Sequence, residues 1–258
     1  MDIAEPASAA AALARHKPWA VINAAGFARV DGAELQPERC RRENVRGVDV
    51  LGAACRAAGV PLLAFSSHLV FDGGRDAPYT EDDAPAPLSV YGAAKLEAER
   101  RLLDADPDAL VVRSGPAFGP WDDRNLAARA IRAVAGGRFF PAACDVTVSP
   151  SYLPDVVNVA LDLLMDGERG VWHLANTGAV TWAEFARGAV RDAGLDPQRV
   201  LGVPAADLNW KARRPAYSAL RSVRGAGLPS LDDALRRYRA ERPEDLVLHL
   251  SDAEEVEA

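Results

Sequence analysis

Short runs of uninterrupted apolar residues punctuate the first half of the chain: Trp19 to Ile22, Pro61 to Phe65 and Leu110 to Val112. The stretches between them repeat their apolar positions at helical spacing. A strand that reads as a solid apolar run, not as an alternating one, is buried on both faces. Helices between such strands make the parallel crossovers of an α/β sheet covered on both sides. The first helix is expected over Glu5 to His16, an alanine-rich stretch with Pro6 in its first turn, where a missing N–H costs nothing. A second runs from Glu43 to Ala58, with Val45, Val48, Leu51 and Cys55 on one face and Gly59 as its C-terminal cap. A third runs from Tyr91 to Leu103 and pairs Glu97 with Arg101 on its wet face.

The second half is less regular. Leu126 to Val134 reads as a helix stopped by Gly136-Gly137, and Ser149 to Pro154 as a proline-bounded extended segment. Asp155 is expected to cap a helix through Leu164, and Val171 to Leu174 is a short strand. Thr181 and Glu184 form a capping-box pattern before a helix to about Ala193. Ser230 and Asp233 repeat that pattern before a helix ending near Arg239, and the acidic end, Ser251 to Ala258, is expected to lack fixed structure. The chain therefore divides into an α/β part over 1–120, a lobe over 121–245 with segments returning to pack on the first part, and an acidic tail over 246–258.

Composition narrows the function. No apolar run approaches the ~20 residues of a membrane-spanning helix. Met1 to Pro6 has neither the basic nor the apolar region of a secretory signal. A net charge of -7 argues against a nucleic-acid partner. The 3 cysteines, Cys40, Cys55 and Cys144, contain no C-x-x-C pair, and the 4 histidines no H-x-x-x-H. Reduced thiols in a cytoplasmic protein without a metal site are the expectation.

Ligands of parallel α/β sheets bind beyond the carboxyl ends of the strands. Here those ends carry Asn23-Ala24-Ala25-Gly26, Ser66-Ser67-His68 and Arg113-Ser114-Gly115. The next helix opens with Tyr91-Gly92-Ala93-Ala94-Lys95, which places a phenol and an ammonium on one face. A nearby ammonium favours the phenolate and is expected to lower the phenol's pKa, and a phenol so tuned passes a proton to a carbinol oxygen. Y-x-x-x-K alone is weak evidence, because a solvated pair at this spacing is common. The preceding Ser-Ser strand end gives it context, since the Ser67 hydroxyl can hold the carbonyl.

These residues fall within a longer set of motifs. Val21 to Gly26 with Val30-Asp31-Gly32-Ala33-Glu34 resembles "INAAAYTxVDxAE", and Glu43-Asn44-Val45 resembles an "xNA" helix start. Ser66 to Gly73 resembles "STDYVFDG", Pro78 to Glu81 "PYxE", and Pro87 to Gly92 "NPLxVYG". Ser149 to Tyr152, Trp172 to Asn176, and Arg214-Pro215 with Ser218-Ala219-Leu220 resemble "SPTY", "WHLAN" and "RPxxSxL". Together, over about residues 2 to 237, they resemble the dTDP-4-dehydrorhamnose reductase family of extended short-chain dehydrogenase/reductases.

The resemblance implies a Rossmann-like doubly wound parallel sheet with a smaller C-terminal substrate-binding lobe. It implies an NADP- or NAD-dependent reductase, NADPH favoured, acting on a keto-deoxysugar nucleotide in dTDP-rhamnose synthesis. Tyr91 would be the proton donor, Lys95 its partner and a ribose ligand, and Ser67 would stand for the family's threonine. Asn23, Ala24, Ala25, Gly26, Phe27, Ala28 and Phe65 would line the nicotinamide nucleotide, with Asp2 and Ile3 near the adenine. Ser67, His68 and Pro116 would face the substrate. His68 stands where the family has aspartate, Leu69 where it has tyrosine, Pro116 where it has tryptophan, and Ala28 where it has a hydroxyl residue. No G-x-G-x-x-G precedes Asn23, so the first strand and phosphate cradle of the family are expected to be missing from this stretch. Two other readings stay open: a non-catalytic regulatory homologue that binds a sugar nucleotide or NADP, and an inactive fragment. A homodimer and fusion to an upstream domain are both compatible with the motifs.

Overall fold

A computed structural model describes residues 1–242 of the chain. The central sheet is parallel, with strands β1 (Val21–Asn23), β2 (Leu62–Ser67), β3 (Leu110–Ser114) and a fourth strand, Gly170–Leu174, in that spatial order. β1 forms one edge. The register sets Leu63 beside Leu110 and aligns Ser67 with Ser114 and Ser114 with Leu174. The polar strand ends are thereby brought to a single edge of the sheet.

Side chains alternate across a strand, and β2 and β3 are covered on both faces, whereas the edge strand β1 is not: Ile22, expected to be buried, is exposed. Leu62, Ala64 and Val111 pack on one face against α1 (Pro6–His16), the helix pair α4 (Gly47–Ala58) and α5 (Val90–Ala105), through Ala9, Leu51, Cys55 and Leu102. Leu63, Leu110 and Val112 face α7 (Leu153–Met165), where they meet Val156, Ala160 and Leu164. This is the doubly wound α/β arrangement expected from the apolar runs. α6 (Leu126–Ala135), α8 (Trp182–Asp192) and α9 (Leu231–Glu241) build a second apolar cluster around Phe118, Tyr152, Phe185 and Tyr238.

Local chemistry sets most boundaries. Thr181 and Glu184 make the reciprocal capping box, and the Ser230 hydroxyl accepts from the Asp233 N–H. Lys17 ends α1 and Gly59 ends α4, both in left-handed conformation. Three expectations are corrected. Asp155 is not a cap: α7 begins at Leu153 with Tyr152 at the N-cap and Pro154 in the first turn, where proline needs no N–H partner. The Asp155 carboxylate instead accepts from Asn176 at 2.8 Å and from both terminal nitrogens of Arg237 at 2.7 Å. Between β1 and α4 the chain forms two short helices absent from the sequence reading, α2 (Val30–Leu35) and α3 (Pro37–Arg41), followed by a π-helical turn over Arg42–Arg46. They are too short to show periodicity. The first strand starts at Val21, not Trp19, and Trp19 is exposed. The acidic-tail expectation for 246–258 lies outside the described residues.

Candidate active site

The exit of β2 and the start of α5 meet closely. Ser89 caps α5 by accepting the Gly92 N–H at 3.1 Å. Gly92 is required at this approach, because a Cβ there would fall 2.2 Å from the Leu69 carbonyl oxygen. The contact holds Tyr91 and Lys95 over the strand ends. Lys95 Nζ donates to the Phe65 carbonyl at 3.1 Å and lies 5.8 Å from the Tyr91 ring centroid. Burial lowers the Lys95 pKa and pushes the Tyr91 hydroxyl up to about 12, against a smaller lowering from its hydrogen bond with Ser67. The expected depression of the phenol is therefore corrected: the ammonium is anchored on a backbone carbonyl, and desolvation of the phenolate dominates.

A cavity of about 590 Å³ opens beside this pair. Asn23, Ala24, Ala25, Gly26, Phe27 and Ala28 line it from the turn after β1. Phe65, Ser67 and His68 line it from β2 and its exit, Tyr91 and Lys95 from α5, and Pro116 from the loop after β3. The structure thus brings together all but two of the expected site residues. Asp2 and Ile3 are elsewhere: the Asp2 carboxylate accepts from Arg42 at 2.6 Å near the surface, and Ile3 is buried in the core under α4.

Other groups in and around the cavity escaped the sequence reading. Asn44, in the π-helical turn, accepts the Phe27 N–H at 2.9 Å and donates to the Phe27 carbonyl at 3.0 Å. It clamps the turn after β1 from behind. A Cβ at Gly26 would sit 2.5 Å from the Asn44 carboxamide oxygen, so only glycine fits between clamp and cavity. The "xNA" motif marked Asn44 as a helix start and not as a clamp. Ser66 Oγ is buried without a hydrogen-bond partner among the described residues and belongs to the cavity lining. From the distant lobe come Arg214 and Ser218, within the "RPxxSxL" resemblance, and Trp182, which opens α8. Arg214 forks onto Asp31 at 2.9 and 2.8 Å and stacks on Trp210 at 4.2 Å. Val146, Val148 and Val156 add an apolar wall.

The bare turn at Ala24 to Gly26 and the unused Ser66 hydroxyl fit a flat, polar-edged group such as a nicotinamide riboside. Lys95 and Ser67 would hold its ribose and the reacting carbonyl. The family model for the RmlD substrate binding domain matches residues 1–245. The chain belongs to this family. This RmlD-family chain is 36% identical over 217 residues to the dTDP-4-dehydrorhamnose reductase of Mycolicibacterium smegmatis, a match covering 83% of the chain and 66% of that relative. It is 34% identical over 248 residues to the Streptomyces griseus enzyme of the same name, covering 93% of the chain and 80% of the relative. A solved Bacillus anthracis dTDP-4-dehydrorhamnose reductase in complex with NADP superposes with a TM-score of 0.89 at 26% identity, over 93% of this chain and 87% of that one.

Proposed function

We propose that this chain acts in the NADPH- or NADH-dependent reduction of the keto group of a deoxysugar nucleotide, as the names of its relatives suggest. The observation that carries the reading is the meeting of Tyr91, Lys95 and Ser67 on one cavity. A bound dihydronicotinamide supplies hydride. The Ser67 hydroxyl holds the carbonyl oxygen, and Tyr91 delivers the proton to that oxygen as charge develops on it. A phenol with a raised pKa stays protonated at neutral pH, as a proton donor must. Lys95, fixed on the Phe65 carbonyl, orients the ribose and presents its positive charge to the phenolate left after transfer. The buried free thiols Cys40 and Cys55 suit a reducing cytoplasm.

Tyr91→Phe tests the assignment. With NADPH and dTDP-4-dehydrorhamnose, turnover should fall by about 10²-fold or more while nicotinamide fluorescence still reports cofactor binding. Full activity in the variant would remove Tyr91 as the acid. Saturable binding of both ligands by the wild-type chain with no turnover would favour the regulatory-homologue reading instead.

A further inference from the structure

The proton-transfer assignment gives no role to His68, which lines the cavity. His68 opens the short helical turn His68–Val70 directly after β2 and is 7% exposed. Its Nδ1 lies 2.8 Å from Ser218 Oγ, a contact between residues 150 apart in the chain. A serine hydroxyl both donates and accepts, so Ser218 satisfies either neutral tautomer of the ring. Among the described residues the other ring nitrogen, Nε2, makes no hydrogen bond, and His68 lines the cavity. Nε2 is therefore a donor in one tautomer and an acceptor in the other.

The charges around it are one-sided. Of the described residues lining the cavity, Lys95 and Arg214 carry formal charge, and no aspartate or glutamate lines it. Asp31, the carboxylate nearest Arg214, is occupied by the arginine fork and by the backbone N–H groups of Lys211 and Ala212 at 2.9 and 2.8 Å. Burial first, and the Arg214 cation second, hold the imidazole neutral, with its pKa pushed down to about 3. The cavity thus offers an uncharged hydrogen-bonding edge and no counter-ion for a cation.

We propose that the His68–Ser218 pair reads a hydroxyl on the sugar ring close to the reacting carbonyl, and that this cavity rejects sugars bearing an ammonium there. The inference rests on the sugar-nucleotide reading above. A hydroxyl gains a bond to Nε2 whichever tautomer is present. An ammonium would be desolvated beside two cations with no carboxylate to pair it, and rejection of that kind needs no new contact to the favoured ligand.

Calorimetric titration in the presence of oxidised NADP, which prevents turnover, tests this with two probes. These are dTDP-4-dehydrorhamnose and its 3-amino-3-deoxy counterpart. The wild-type chain should bind the hydroxyl compound about tenfold or more tightly than the amino compound. His68→Asp, which adds a carboxylate, should narrow or reverse the ratio. His68→Leu, which removes the edge without adding charge, should weaken the hydroxyl compound alone. Equal or tighter wild-type binding of the amino compound overturns the proposal and leaves the sugar-nucleotide reading intact. Unchanged binding of the hydroxyl compound in a folded His68→Leu chain also overturns it. Failure of both compounds to bind the wild-type chain removes the sugar-nucleotide reading itself, and this inference with it.

Discussion

Tyr91 and Lys95 share a helix face because they stand four positions apart, yet their protonation is governed by burial. The same is true of the buried histidines. Desolvation pushes His68 down to about 3 and His173 down to about 4; Arg214 adds to the first shift, and Glu81 opposes while Arg113 adds to the second. Both folded values lie below the ordinary histidine value near 6.5, so the unfolded chain takes up protons first as pH falls. Stability should be level above about pH 7 and fall between about pH 6.5 and 4, by up to ~1.4 kcal/mol per pH unit for each histidine. Urea midpoints across that range measure it, and His173→Gln should flatten the slope. At the turn after β1, Gly26→Ala should destabilise by about 1–3 kcal/mol, because its Cβ would press on the Asn44 carboxamide. Thermal unfolding of Gly26→Ala alone and combined with Asn44→Ala should reveal coupling between the two sites.

At the scale of the element, α5 does two jobs. Its face bearing Ala98 and Leu102 packs on the sheet, and its first turn carries the candidate proton donor. The Ser89 cap and the Gly92 close approach hold that turn against the exit of β2. Ser89→Ala should cost about 1 kcal/mol, readable in a denaturant midpoint. Gly92→Ala should cost more, and should lower turnover even where the chain remains folded, because the helix start must retreat from the Leu69 carbonyl. Pairing Tyr91→Phe with Gly92→Ala distinguishes displacement of the phenol from general loosening: only displacement makes the two effects on turnover non-additive. The linear pattern opens this helix at Tyr91 and marks no cap, so the role of the Ser89 hydroxyl is visible only in the fold. The consequence of the glycine depends on a carbonyl belonging to another element.

Across the whole molecule, long-range polar pairs join segments that the apolar pattern treats separately. The Asp31–Arg214 fork spans 183 residues, and both side chains are largely withdrawn from solvent, at 12% and 14% exposure. Asp31→Asn should lower stability by roughly 1–3 kcal/mol, leaving a guanidinium short of its partner next to His68. Beneath the sheet's carboxyl edge, Glu99 and Arg113 make a more buried pair at 2.6 Å. Removing one charge there, as in Glu99→Gln, should cost about 3–5 kcal/mol in chemical denaturation.

The expected length of Ser149 to Pro154 shows where linear reading stops. The segment is extended only as far as Tyr152, because Leu153 and Pro154 already belong to α7, and the partners of Asp155 are Asn176 and Arg237, which the chain supplies much later. What the amino-acid order determined alone was the succession of buried strands and covering helices, the Thr181 and Ser230 caps, and the candidate Tyr91–Lys95–Ser67 group. Solid apolar runs, helical periodicity and capping hydroxyls act over a few residues, so they are legible without a fold. What only the tertiary structure decided was the upward shift of Tyr91, the Asn44 clamp, and the arrival of Arg214 and Ser218 beside His68. Desolvation and the pairing of groups 17 to 183 residues apart exist only once the chain has closed around the cavity.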